Sequence, residues 1–189
     1  YALSSHYQGT PYDPYEGHGD PTMKGIFRPI GINRNDFMAL IQMRPDVPQE
    51  FSVVEWLAFA SNAFNVLTPF YANVSVTPDY LSNTTKEIST ENFYWSSRMI
   101  AAMADASYGK SVFHIERYQF AVQSKGHALI VQYDEKLHRE ADIAKRAALR
   151  EHANQEIADM LKDETAYTLN KVLFELSSQM KNAFSRSDA

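Results

Sequence analysis

The spacing of apolar residues changes near position 90. Before it, apolar residues come in short dense runs. Phe37-Met-Ala-Leu-Ile-Gln-Met-Arg44 is almost unbroken and has the length of a strand. Such a run predicts a strand buried on both faces, and Arg44-Pro45-Asp46 marks the turn that ends it. Phe51 to Ala60, rich in Val, Trp and Phe, predicts a second strand. Asn65 to Ala72 predicts a third. Pro69 puts that strand at a sheet edge or a bulge, because proline has no donor for a ladder. Together these segments predict an antiparallel meander of three strands.

Beyond position 90 the apolar residues recur at three, four or seven. Ser89 or Thr90 is a plausible N-cap for a helix reaching about Ser107, with Gly109 as its stop. A second helix is expected from near Lys110. Its stripe is Val112, Ile115, Tyr118, Val122, Leu129, Tyr133 and Leu137. Gly126 falls on that stripe and predicts the close approach of another helix. A charged elbow is expected at 139–146, then a third helix from about Ala147 to Asn182. Its stripe is Ile157, Met160, Leu161, Leu169, Val172, Leu173, Leu176 and Met180. The last two helices are expected to pair antiparallel over a long seam.

Proline and glycine sharpen this division. All 8 prolines lie before residue 90, and residues 91–189 hold none, which permits long helices. Residues 1–36 are rich in Tyr, Pro, Gly and Asp and predict an ordered, loop-rich segment. The expected class is α+β in a single region: loop 1–36, strands within 37–75, helices within 90–187. Hydrophobic residues make up 44% of the 189, and aromatic residues 13%, enough for a globular core. The net charge of −5 argues against a nucleic-acid binder, which needs a basic face. No run reaches the length of a membrane span, and no signal peptide is visible. A cytoplasmic location is therefore expected. There is no Cys, which excludes disulfides, thiolate metal sites and a cysteine nucleophile within these residues.

The recognisable catalytic motifs are missing. Gly-x-Ser-x-Gly and the glycine-rich phosphate loops do not occur. The six histidines show no pair at metal-ligand spacing, so no metal or other cofactor is expected. Two places stand above background. Arg28-Pro-Ile-Gly-Ile-Asn-Arg34 sets two arginines around a turn before an apolar strand. Arg28 and Arg34 could hold a carboxylate bidentately, or form structural salt bridges. Ser61-Asn-Ala-Phe-Asn65 sits between two apolar strands. Asn62 and Asn65 could donate to a substrate carbonyl or oxyanion, or satisfy their own turn.

Longer motifs carry a resemblance. Tyr7-Gln-Gly-Thr-Pro-Tyr-Asp-Pro-Tyr15, Phe27-Arg-Pro-Ile-Gly-Ile-Asn-Arg34, Trp56-Leu-Ala-Phe-Ala-Ser-Asn-Ala-Phe-Asn65 and Pro69-Phe-Tyr-Ala-Asn-Val74 are four of them. Tyr80-Leu-Ser-Asn-Thr-Thr-Lys86, Asn92-Phe-Tyr-Trp95 and Met180 through Ala189 are the others. In this order they resemble the C-terminal part of the dipeptidase A family, the C69 peptidases. The resemblance implies an N-terminal-nucleophile (Ntn) hydrolase with an αββα sandwich, cleaving dipeptides without a metal. It implies a nucleophilic N-terminal Cys exposed by processing, with its own α-amino group as base. This chain begins at Tyr1 and has no Cys, so the nucleophile is expected on sequence upstream. The dipeptide would be met through that upstream part, and the isolated chain would be inactive. Severed strands would leave open edges, so self-association into homo-oligomers is expected. The alternative is a non-catalytic binding or assembly module built on the long helices.

Overall fold

The computed structural model describes residues 34–180, together with positions 22, 26, 31 and 32. The loop-rich segment expected at 1–36 lies almost wholly outside the described residues, as does Arg28.

The described chain is α+β. Three strands come first: β1 (Phe37–Met43), β2 (Val53–Phe59) and β3 (Thr68–Tyr71). Four helices follow: α1 (Asp79–Ser82), α2 (Phe93–Ala106), α3 (Tyr108–Arg139) and α4 (Ile143–Ser177). The sheet has the order β1-β2-β3 with both pairs antiparallel, as the meander predicts. Phe37 pairs with Phe59, Met43 with Val53, and Val54 with Tyr71.

The two long helices run antiparallel. A His114–Glu175 hydrogen bond and the Lys125–Glu164 ion pair fix their register, and Tyr118 shares a 2.7 Å hydrogen bond with Thr165 between them. Buried Ile115, Tyr118, Val122, Tyr133 and Leu137 of α3 are five members of the predicted stripe. Opposite them lie buried Ile157, Leu161 and Val172 of α4. No described helix is long and apolar enough to cross a membrane.

Several boundaries move, each for a local reason. The N-cap of α2 is Asn92, whose side chain accepts from the Trp95 amide at 2.9 Å. Ser89 and Thr90 lie farther out. The same helix stops at Ser107, where the Ser107 amide and hydroxyl both bond the Met103 carbonyl. Gly109 therefore falls inside the first turn of α3 rather than ending α2. The elbow shortens to residues 140–142, because Asp142 caps α4 by accepting from the amides of Ala144 and Lys145.

Gly126 does mark a close approach, although its neighbour is a strand. A Cβ there would lie 2.7 Å from Cδ of Pro69 in β3. The missing side chain lets α3 lie directly on the sheet face that carries Val54 and Tyr71.

The largest departure concerns β1. Its apolar run predicts burial on both faces, yet Phe37, Leu40, Ile41 and Met43 are 58%, 52%, 57% and 78% exposed. Continuous hydrophobicity reports what a strand is suited to touch. Among the described residues β2 is the one strand that pairs with β1. The opposite holds for β3, all of whose residues are buried.

One end of the sheet is fastened by charge. Arg44, just past β1, makes a bidentate pair with Asp134 of α3 and also donates to the Phe51 carbonyl. The Tyr71 hydroxyl shares its proton between Asp134 Oδ1 at 2.8 Å and the Ile130 carbonyl at 3.1 Å. Burial, and then the hydrogen bond to the Asp134 carboxylate, push this hydroxyl far above the ordinary tyrosine value.

Candidate functional site

The other end of the sheet gathers the candidate residues. The antiparallel register brings the start of β1 beside the end of β2, and the Ala60 amide donates to the Asp36 carbonyl at 2.9 Å. Arg34 therefore lies two residues before this junction, and Asn62 two residues after it. Residues nearly thirty apart in sequence share this sheet end because it is the open end of the β1–β2 hairpin, whose turn at 44–52 lies at the other end.

Ala60 carries a φ of 65°, the left-handed region that costs a β-carbon residue about 1–2 kcal/mol. The neighbours hold it there from both sides. Its amide goes to Asp36, and its carbonyl accepts from Asn65 Nδ2 at 3.0 Å. The amides of Phe64 and Asn65 both donate to the Ser61 carbonyl, closing a tight turn. Asn65 Nδ2 also donates to Asn62 Oδ1 at 3.2 Å. Gln119 of α3 donates to the Asn65 carbonyl at 3.0 Å, tying the turn to the helices.

Both asparagines are thus buried and joined to each other. Asn65 spends its two amide protons inside the turn. No described residue accepts from Asn62 Nδ2. Ser61 Oγ is buried without a hydrogen-bond partner among the described residues. A buried hydroxyl left unpaired costs about 1–3 kcal/mol, and so does a non-glycine residue in a sparse backbone region. Such costs concentrate where a backbone is held for use.

Arg34 is exposed. Beside it stands a cluster that sequence reasoning missed. Asp36 accepts from the Tyr94 hydroxyl and from Arg98 Nη1, each at 3.2 Å. Burial, followed by the nearby Asp36 charge, raises the Tyr94 hydroxyl above its usual range. Asp36 and Arg98 are 62 positions apart, so no linear motif could join them. Their i,i+4 spacing on α2 puts Tyr94 and Arg98 on one helix face, which is the one signal the sequence offered. An aromatic chain of Phe37, Phe59, Phe93 and Tyr80, with ring centroids 5.3–5.9 Å apart, runs from the start of β1 to α2 and α1.

The chemistry of this sheet end is mixed. A carboxylate and two guanidinium groups are exposed around a strained, amide-rich turn. Such a set complements a small zwitterion, with guanidinium for a carboxylate and carboxylate for an ammonium. Among the described residues, no three of His, Asp and Glu gather where they could hold a metal ion.

Comparison with known proteins places the molecule. The profile of peptidase family C69 matches residues 1–121. The chain belongs to peptidase family C69.

Its curated relatives are bacterial. A probable dipeptidase A of Streptococcus pyogenes serotype M3 (strain SSI-1) is 43% identical over 188 residues, covering 100% of this chain and 39% of the relative. A dipeptidase of Bifidobacterium longum (strain NCC 2705) is 39% identical over 225 residues, covering 100% and 42%. A dipeptidase A of Lactobacillus helveticus is 46% identical over 108 residues, covering 57% and 23%. This C69 chain spans about two-fifths of the length of the first two relatives, in their C-terminal part. The C69 match takes in β1, β2, β3 and the whole of the Asp36–Ala60–Arg98 sheet end.

Proposed function

We propose that this chain is the C-terminal region of a cysteine-dependent dipeptidase and forms one wall of its substrate site. The observation that carries this reading is identity of 43% along the whole chain with a protein named as a probable dipeptidase A. In this reading the strands join an αββα sandwich of the Ntn-hydrolase type. The nucleophile comes from polypeptide beyond these 189 residues, which contain no Cys.

The parent reaction is amide hydrolysis through an acyl-enzyme. A thiolate attacks the peptide carbonyl carbon and the carbonyl oxygen becomes an oxyanion. The C–N bond breaks, the amine leaves with a proton, and water then hydrolyses the thioester. The sheet end contributes binding and orientation. Arg34, with Arg28, holds the substrate carboxylate. Asn62 offers its Nδ2 protons to the developing oxyanion. Asn65 positions Asn62 by donating to its Oδ1.

The test uses the full-length gene product and purified dipeptides. Turnover is expected, with loss on thiol alkylation and none from the 189-residue chain alone. Asn62→Ala in the full-length enzyme lowers kcat by about 100-fold, the scale of one lost oxyanion donor. Arg34→Ala acts mainly on KM. Dipeptide turnover by the rigorously purified 189-residue chain, or a full-length enzyme indifferent to alkylation, overturns the reading.

A further inference from the structure

We propose that the outward edge of β1 is the pairing site for a β-strand from the part of the longer polypeptide that this chain does not span. It would make β1 an interior strand of an extended sheet. The inference rests on edge chemistry and on family length, and makes no use of the catalytic reading.

Register decides which backbone groups are free. Ala60 donates to the Asp36 carbonyl and Arg44 donates to the Ser52 carbonyl. With Phe37 opposite Phe59, even-numbered residues of β1 therefore bond to β2. The amides and carbonyls of Phe37, Ala39, Ile41 and Met43 point away from the sheet. Among the described residues no strand meets them.

Among the described residues this edge carries none of the devices that blunt a permanent edge. Its seven residues, FMALIQM, include no proline and no charge, and form one regular pairing with β2. Natural edges are short, charged, proline-bearing or covered. The faces point the same way. Alternation puts Phe37, Ile41 and Met43 on one face and Leu40 on the other, each more than half exposed. Continuous apolar strands of this kind belong inside layered sheets.

The occupant must therefore bring both a strand and material to cover two faces. A second copy pairing through its own β1 would satisfy the edge hydrogen bonds but bring no new layer for the faces. The family offers a sufficient body: about three-fifths of the relatives' length lies outside the matched part.

Residue-resolved hydrogen exchange on the full-length protein tests this. The amides of Ala39, Ile41 and Met43 are expected to exchange within tenfold of those of Met38, Leu40 and Gln42. Exchange more than a hundredfold faster at the odd positions overturns the proposal. A photo-crosslinking residue in place of Ala39 then identifies the neighbour. An adduct with a segment preceding Tyr1 supports the proposal. An adduct with a second copy, or with residues 1–33, overturns it. Finally, Ala39→Pro removes an outward donor while sparing the bonds to β2. It should lower soluble full-length protein at least tenfold, and an unchanged yield counts against the pairing. None of these readouts requires catalysis, so failure here is distinguishable from failure of the dipeptidase reading.

Discussion

The two edges of the three-stranded sheet are treated in opposite ways. At β3 the outward positions are Pro69 and Tyr71. Pro69 has no N–H to leave unpaired. The Tyr71 amide donates to Asn154 Oδ1 at 2.8 Å, and Asn154 Nδ2 donates back to the Tyr71 carbonyl at 3.0 Å. One side chain of α4 thus replaces a neighbouring strand, and this edge is closed. At β1 the outward groups of four residues meet no described partner, and the side chains around them are apolar. Among the described residues, then, the sheet is closed at one edge by proline and a carboxamide and open and apolar at the other.

Removing the closure should have the largest effect. Asn154→Leu keeps the volume but strips both bonds from the buried Tyr71 backbone. Two orphaned groups cost about 2–4 kcal/mol. Urea unfolding followed by circular dichroism should show the unfolding free energy fall by that amount, as a lower midpoint at unchanged slope. A loss below about 1 kcal/mol would mean that the β3 edge is satisfied in another way.

The next effect concerns the charged fastening of the same strand. Tyr71→Phe deletes a hydrogen bond to a carboxylate, worth about 1.5–2 kcal/mol at neutral pH. The pH dependence has a definite sign. Folding raises the hydroxyl above the unfolded value of about 10. The stability it contributes is therefore complete below pH about 10 and is lost as pH rises toward the folded value. Wild type should weaken above pH about 10 more steeply than Tyr71→Phe. Parallel alkaline limbs in the two proteins would show that the Tyr71 proton is not coupled to folding.

These two edges also show what a linear reading can and cannot find. Pro69 announced an edge by its missing donor, and that edge is where the structure puts it. The α3 stripe was legible because 3.6-residue spacing is a local property, but the α4 stripe held only in part: Ile157, Leu161 and Val172 are buried, whereas Leu173 is 50% and Met180, beyond the end of the helix, 70% exposed. Capping was partly illegible. Ser89, Thr90 and Asn92 are all competent N-caps, and the bond from the Trp95 amide to Asn92 selects one of them. Gly126 showed that something comes close, but a missing Cβ says nothing about whether the neighbour is helix or strand. At the candidate site, Asn62 and Asn65 stood out because polar residues between apolar strands are uncommon. Asp36, Tyr94 and Arg98 did not, since only tertiary packing joins a residue before β1 to a helix more than fifty positions later. The β1 run was read as buried on both faces because hydrophobicity records the environment a strand is suited to, whether or not the described residues supply it.

That last point gives the smallest expected change in stability and the sharpest contrast between the edges. Met43 is apolar but 78% exposed. In the 189-residue chain, Met43→Lys removes little buried area, so the unfolding free energy should stay within about 0.5 kcal/mol of wild type. Association should respond far more strongly. A lysine on an open strand blocks edge-to-edge pairing by charge repulsion and by its strong hydration. Light scattering over a hundredfold range of concentration should show wild type self-associating and Met43→Lys shifted toward monomer. Should Met43→Lys instead cost more than about 1 kcal/mol in the monomeric chain, β1 would already be covered from within, and the two edges would differ in their means of closure rather than in whether they are closed.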